Sequence, residues 1–578
     1  MQSITFDWID YLVFCTLLGV SLVIGLYFGF LSKQDTTNEY LYGGKKMGCL
    51  PVAVSLLSSF LSGITFLGLP TEIYLYGSTY LSAPIGAAIT ALVTIYIFLP
   101  VFFKLQLSCI NEYLELRFSK SVRKLSSVAY LIGLLASTSL IIYVPALAFS
   151  QVTNYSIHVI TPVLTIICIT YTSMGGVKAV IWTDTFQFFF TVIGVVSVFG
   201  IGLNEEGGFS RVWSIASEGN RTRVFDMDPS LFKRTSFWAV QSAVIMGSVA
   251  RFSIGQKYVQ KFLSVPTEKD AVKAIVMMTV GWIGLIIVCM FTGLIMYVKY
   301  LDCDPHKAGF VERSDQTLVY FVMDVAGHIR GLPGIFLAGL VSSSLATMSA
   351  CLNTFSGMLY DDFIDQWLPA SNKRESRAAN IMKFNVVLAG VLSISLVLVM
   401  EKLGTIFEMV YSVTSILDAP IFTLFTLGIL IPWTGKKGAL AGGLTTLIFM
   451  MWLVGGSQWH VMNKRIQYEQ FPTSTDGCDA SLNISITSNS TLLEPIDAED
   501  EPFFMFRISV FYFTLIGSFL GITVGVVTSY LTKEIDTSTV NPDHISPFLH
   551  RFLPKKKYIE VHIDDIKSPS IKENGYFD

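Results

Sequence analysis

The stretch Ser58–Pro70, SSFLSGITFLGLP, lies in an apolar run long enough to cross a bilayer, yet it carries three serines, a threonine, two glycines and a proline. Lipid offers a backbone no hydrogen-bond partners, so a spanning helix stays regular unless its irregular turn lines a protein cavity. Carbonyls released at such a break, with hydroxyls beside them, suit a hard monovalent cation. The segment therefore points to ion-coupled transport. Ser59, Ser62 and Thr65 recur at three-residue spacing and share one face. Serines and threonines often bond only their own helix backbone. Gly63, Gly68 and Pro70 in the same run tip the reading toward a broken helix.

Outward from this segment the whole chain has the same character. Its 578 residues are 52% hydrophobic and 14% charged, where a soluble protein carries about a quarter charged residues. The expectation is an all-α polytopic membrane protein in a single transmembrane domain, residues 1–533, followed by a flexible cytoplasmic tail, 534–578. Apolar windows mark about thirteen spans, near 9–31, 51–76, 80–103, 125–149, 157–175, 184–203, 236–260, 274–299, 331–360, 381–400, 407–432, 438–455 and 504–531. An odd number puts the termini on opposite sides. Lys and Arg concentrate in the loops Lys33–Lys46, Lys104–Lys124, Lys261–Lys273, Lys373–Arg377 and Lys436–Lys437 and in the tail, which makes that side cytoplasmic and the N-terminus external. Asp7 and Asp10 precede the first apolar window with no basic run before them, so a retained first span is expected rather than a signal peptide.

The external loops carry further signals. The acceptor sequons at Asn220, Asn483 and Asn489 all fall on this side and predict glycosylation, hence a plasma-membrane location. Of eight cysteines, Cys303 and Cys478 face outside. A disulfide between them and two unpaired thiols both fit their spacing. The net charge of −3, without basic runs interleaved with aromatics, gives no sign of nucleic-acid binding.

Other polar residues inside apolar windows are candidate functional positions, because burying them in a bilayer is costly. Ser343, Ser344 and Thr347 place hydroxyls within one helical turn, although small residues there also serve close packing. Asp184 and Gln187 lie on one face at the start of a span, where Asp184 also reads as a helix cap. Gln256 sits near Gly247 and Gly255. Arg251 falls within the same span and Asp418 in the middle of a later one. An intramembrane arginine needs a counter-charge, water or an anion, unless it snorkels to an interface. Arg251 is expected either to bind a substrate carboxylate or to pair with Asp418. No histidine falls mid-membrane, and no GxSxG or P-loop pattern occurs, which argues against an intramembrane metalloenzyme, a hydrolase or an ATP-driven pump.

At this point the chain resembles the sodium/solute symporters, within them the branch of iodide, monocarboxylate and multivitamin transporters. The resemblance rests on SSFLSGITFLGLPTEIYLYG from Ser58, INEYLELRFSKSVRKL from Ile110, GGVKAVIWTDTFQ from Gly175 and GLPGIFLAGLVSSSLATMSACLN from Gly331. It implies a LeuT-type core of two inverted five-helix repeats, about 51–203 and 236–432, with the seventh span broken as well as the second. It implies sodium-coupled alternating access with sodium as the coupling ion and no cofactor. By the same resemblance, Ser59, Asp184, Gln187 and Gln256 match a sodium site. Ser343, Ser344 and Thr347 match the family's common sodium site, and Ser62, Thr65 and Tyr143 match residues around the solute. Arg251 and Asp418 join the solute-binding set from their charge. Thr65 stands where the iodide transporter has glutamine, which favours an organic anion. Ala346 lacks a hydroxyl usual in the branch. The expected function is sodium-driven import of a small monocarboxylate-like anion, with vitamins or iodide as alternative solutes and a solute sensor or ligand-gated conductance as an alternative class. The expected partners are sodium, the organic anion and the lipid bilayer, with the oligomeric state open.

Overall fold

The computed structural model describes residues 6–31, 47–107, 109–153, 155–172, 177–367, 374–401, 405–478, 502–534 and 540–552. Among them no strand occurs. The principal helices are α1 (Trp8–Leu31), α2 (Cys49–Phe60), α3 (Gly63–Tyr76), α4 (Ser78–Leu105), α5 (Ile110–Arg117), α6 (Lys120–Thr153), α7 (Ile157–Thr172), α8 (Val177–Glu205) and α9 (Phe209–Glu218). They continue as α10 (Phe237–Ser253), α11 (Gln256–Phe262), α12 (Glu268–Lys299), α13 (Thr317–Ala326), α14 (Leu332–Trp367), α15 (Arg374–Met400), α16 (Ile406–Ile429), α17 (Lys436–Met462) and α18 (Val510–Leu531). Among the described residues nine helices are long and apolar enough to cross a membrane. Two bent pairs, α2–α3 at 57° and α10–α11 at 62°, meet the same test as joined spans, and Trp8–Val20 and Ile157–Thr170 are shorter apolar helices. Each expected apolar window falls on one of these helices or pairs.

Both bends have a local cause. At the first, Leu61 leaves the helical region (φ −90°, ψ 97°) and Ser62 is extended (φ −94°, ψ 172°). The Leu61 carbonyl, freed from the helix ladder, accepts the Ser343 hydroxyl at 2.6 Å. Gly63 follows because α14 passes so close that an added Cβ would lie 2.4 Å from Ser344 Oγ and 3.3 Å from the Leu340 carbonyl. At the second, α10 widens into a π-type turn over Val249–Ser253, a distortion that often marks functional sites. A Cβ on Gly255 would stand 2.0 Å from the Arg251 carbonyl, so only glycine lets the chain turn there.

Small residues let the surrounding helices close on this core, since packing rather than a hydrophobic gradient joins helices in lipid. The Thr191 backbone of α8 lies against Gly339 of α14, with the Thr191 hydroxyl donating to the Gly339 carbonyl at 3.0 Å, and Gly194 meets Phe336 one turn along. On the other flank Gly442 of α17 faces Gly521 of α18. Asp10 on α1 is buried, and its Oδ1 accepts the backbone N–H groups of Gly331 and Gly334 at 3.0 and 3.1 Å, capping α14. That carboxylate, counted from sequence only as an orientation signal, is thus a helix cap.

Two findings concern the termini and loops. Cys303 and Cys478 are joined in a disulfide across 175 residues of sequence. Residues 540–552, expected within a flexible tail, are instead docked. The Tyr113 hydroxyl donates to the His544 carbonyl at 2.9 Å, the Ser546 N–H to the Ile429 carbonyl at 3.2 Å, and Lys104 pairs with Asp543 at 2.6 Å. Ile545 is buried. An apolar residue flanked by satisfied backbone groups holds this segment, which a polar composition alone does not reveal. The rest of the tail lies outside the described residues.

Candidate cation and solute site

A cavity of about 160 Å³ opens between the two bends. The first bend contributes Ser59, Ser62 and Thr65, the second Arg251 and Lys257, and α14 contributes Thr347. Leu140 and Ile141 of α6 form an apolar wall. At one end the cavity is closed by aromatic rings. The hydroxyls of Tyr80 and Tyr411 hydrogen-bond to each other, the Phe407 ring lies edge-on to Tyr80 at 5.0 Å, and Phe511 is 4.9 Å from Tyr411. Beyond this seal, buried Arg234 pairs with Glu72 and covers the Tyr76 ring at 3.6 Å. The disulfide belongs to this same end, where the Tyr74 hydroxyl donates to Asp304 at 2.9 Å.

One oxygen cluster lies beside the first bend. Ser343 Oγ donates to the Leu61 carbonyl, Thr347 Oγ1 donates to the Ser343 carbonyl at 3.0 Å, and Ser344 Oγ is buried with no hydrogen-bond partner among the described residues. An orphaned buried hydroxyl next to a released carbonyl is the chemistry a sodium ion would use. Gln187 is buried, and its Oε1 is likewise unpartnered. The α8–α14 register, Gly194 on Phe336 and Thr191 on Gly339, carries Gln187 one turn further, to the level of Ser343. The Asp184 side chain lies outside the described residues. Gln256 points elsewhere in part: its Oε1 accepts the Ile110 N–H at 2.6 Å at the start of α5.

The two charged residues assigned to the solute from sequence separate in the structure, Arg251 on the cavity and Asp418 off it. Arg251 Nε lies 3.5 Å from Asp418 Oδ2, donates to the Gly247 carbonyl at 3.0 Å, and its Nη1 reaches the Thr414 hydroxyl at 3.4 Å. Asp418 is 2% exposed and does not line the cavity; it stands behind Arg251. Arg251 thus pairs with Asp418, one of the two alternatives expected of it, and its side chain also lines the cavity. Tyr143 is fully buried, its hydroxyl unpartnered, with Arg313 5.9 Å from its ring; it does not line the cavity. Asn220 is exposed in the turn after α9 with φ 56°, and neighbouring Arg221 donates to the Pro472 carbonyl at 3.0 Å, which places it at the disulfide end. Asn483 and Asn489 lie outside the described residues.

Sequence reasoning passed over Lys257 and assigned Lys261 to a cytoplasmic loop. Lys257 lines the cavity, its Nζ 4.9 Å from the Tyr258 ring and 3.9 Å from Cys351 Sγ, in no ion pair among the described residues. Lys261 is 5% exposed. Both belong to α11, which the bend at Gly255 turns back into the protein. Two lysines four residues apart, starting two residues after Gly255 in a membrane-length run, were the available signal.

Comparison with known proteins agrees with this architecture. Residues 40–446 match the model of the sodium:solute symporter family. The chain belongs to that family. Among its relatives, the mouse sodium-coupled monocarboxylate transporter 2 is 32% identical over 583 residues, covering 100% of this chain and 93% of that protein. The human sodium-coupled monocarboxylate transporter 1 is 30% identical, covering 99% and 95%, and the rabbit sodium-dependent multivitamin transporter is 32% identical, covering 95% and 86%. Among solved structures, a substrate-bound, outward-open sodium-coupled sialic acid symporter superimposes with a TM-score of 0.73 at 20% identity, covering 91% of this chain and 98% of that one. The nucleobase-cation-symport-1 transporter Mhp1 follows at 0.50, with 11% identity and 86% and 95% coverage. The fold is the LeuT-type fold these transporters share, and the chain is a multi-pass membrane symporter of the sodium-coupled class.

Proposed function

We propose that this protein imports a small organic anion, monocarboxylate in kind, across the plasma membrane with sodium, by alternating access between the repeats 51–203 and 236–432. The observation that carries the reading is the cavity: two cations, Arg251 and Lys257, face it beside hydroxyls and an apolar wall. A carboxylate would meet charge-assisted donors, and a short hydrocarbon would meet Leu140 and Ile141. Asp418 offsets Arg251, which leaves Lys257 as the charge that a substrate carboxylate neutralises. Its size, about 160 Å³, lies below the roughly 300–1,000 Å³ of pockets for drug-sized ligands and favours a monocarboxylate over a vitamin. The names of the relatives, monocarboxylate transporters above all, support the same class. Sodium would sit among Ser343, Ser344, Gln187 and the Leu61 carbonyl. The sealed, disulfide-bearing end faces outside in this reading, because disulfides persist in oxidising compartments and Asn220 lies there too. The test is current and tracer uptake in oocytes for lactate, pyruvate, butyrate, pantothenate, biotin and iodide, in sodium and in choline. Uptake of a short monocarboxylate that vanishes in choline is expected. Uptake unchanged in choline would overturn sodium coupling, and uptake confined to iodide would overturn the organic-anion assignment.

A further inference from the structure

A second space lies directly behind the solute cavity. It is a crevice with no room for a water molecule, bounded by Ala87, Thr90 and Ala91 of α4, Phe252 of α10, and Met278 and Thr279 of α12. Its threonines spend their hydroxyl protons on their own helices, Thr90 on the Gly86 carbonyl at 2.9 Å and Thr279 on the Ile275 carbonyl at 2.8 Å, so neither offers a free donor. Three side chains, Phe60, Ser248 and Trp282, line both the cavity and the crevice and form the partition between them.

Trp282 is the bulkiest of the three and is 7% exposed. Phe60 ends α2 at the first bend and Ser248 precedes the π-type turn of the second, whereas Trp282 stands within the unbroken helix α12. Beside it, a Cβ on Gly281 would lie 2.5 Å from Leu57 Cδ2, so α12 is held close against α2. The indole meets the Phe60 ring edge-on at 4.7 Å. Rings continue from there to the cation: Phe60 lies 5.8 Å from the Tyr258 ring, and Lys257 Nζ lies 4.9 Å from that same ring. A carboxylate on Lys257 thus has an apolar track beside it that ends at Trp282.

We propose that Trp282 sets the upper limit on the length of the solute's hydrocarbon chain. This rests on the monocarboxylate reading above and narrows it to short straight-chain acids, with longer ones excluded by a wall rather than by weak attraction. Ala87 and Ala91 on α4 leave space behind the indole that a longer chain would enter if the side chain at 282 were smaller. Each methylene buried there would gain about fourfold in affinity.

The test is sodium-dependent tracer uptake of acetate, butyrate, hexanoate and octanoate in oocytes expressing the full chain. The variants are Trp282→Ala, Trp282→Leu, and Trp282→Ala combined with Ala87→Leu, which refills the crevice from α4. In wild type the KM is expected to rise from butyrate to octanoate. Trp282→Ala should lower the hexanoate KM relative to that of butyrate by about tenfold, for two added methylenes, and Trp282→Leu by less. The double variant should return toward the wild-type profile. A purely structural role for the indole would change the uptake of all four acids alike. A wild type that takes up octanoate as readily as butyrate would overturn the proposal, as would an unchanged profile in Trp282→Ala or a shift that Ala87→Leu leaves in place. Should Trp282→Ala not reach the cell surface, Trp282→Leu decides by the same ratio: a shift toward hexanoate supports the limit and an unchanged ratio overturns it. A wild type that takes up none of these acids would instead refute the monocarboxylate reading itself, so the two failures are distinct.

Discussion

The two broken helices are built alike and equipped differently. Both bend by about the same angle, 57° and 62°, and both turn on a glycine. Beside the first bend stand oxygens: the Leu61 carbonyl and the hydroxyls of Ser59, Ser62 and Thr65. Beside the second stand cations: Arg251 one turn before it, Lys257 in the turn after and Lys261 one turn further on. The bend is therefore a scaffold, and the side chains within a turn of it decide which sign of charge each half of the cavity receives. Lys261 crosses this division: its Nζ donates to the Ser55 and Ser59 hydroxyls of the first broken span.

The strongest test of this contrast is at Arg251. Removing it leaves Asp418 buried without its cation, and breaking one partner of a buried pair costs about 3–5 kcal/mol. Arg251→Met is expected to lower thermal stability sharply and abolish uptake, while adding Asp418→Leu to it recovers much of the stability, measured against the Asp418→Leu single. Strictly additive losses in this double-mutant cycle would break the pairing.

Lys257 comes next. Lys257→Met should keep the fold and raise the KM for the transported carboxylate about 10- to 100-fold, the worth of one charge-assisted hydrogen bond, with Lys257→Arg largely restoring it. An unchanged KM would move the anion site away from the second break.

On the oxygen side, Ser344→Ala should raise the sodium concentration for half-maximal uptake by roughly tenfold while leaving maximal uptake near wild type at saturating sodium. A shift in the solute KM alone would place this hydroxyl on the solute instead.

The smallest effect is expected from Gly247→Ala. The new Cβ would lie 2.6 Å from Arg251 Nη2, the far end of a flexible side chain, so the guanidinium rather than the backbone gives way. Stability should change by less than about 1 kcal/mol and the solute KM by a few-fold; a larger stability loss would show that Arg251 is held rigidly against Asp418.

Much of the molecule was legible before any coordinates. Hydropathy located the long apolar helices found among the described residues, because a backbone in lipid must satisfy itself and so writes long apolar runs into the chain. The first break was visible from Ser62, Gly63 and Pro70, and Arg251 and Asp418 announced each other as charges in places that tolerate few. The tail segment 540–552 was misread, since short docking contacts leave no periodic pattern. Tyr143 was drawn toward the solute only by resemblance, and nothing in its neighbours says that the wall of the cavity is made by Leu140 and Ile141 instead.

What the sequence determined by itself is thus the membrane class, the broken helix and the charges that must find partners, all consequences of the cost of polar groups in lipid. Only the tertiary structure decided where Lys257 and Lys261 go. Near the end of a hydrophobic window a lysine reads as a solvated, cytoplasmic residue. The 62° bend at Gly255 reverses that outcome by turning α11 inward, and a bend angle is fixed by what packs against it, not by the residues that allow it.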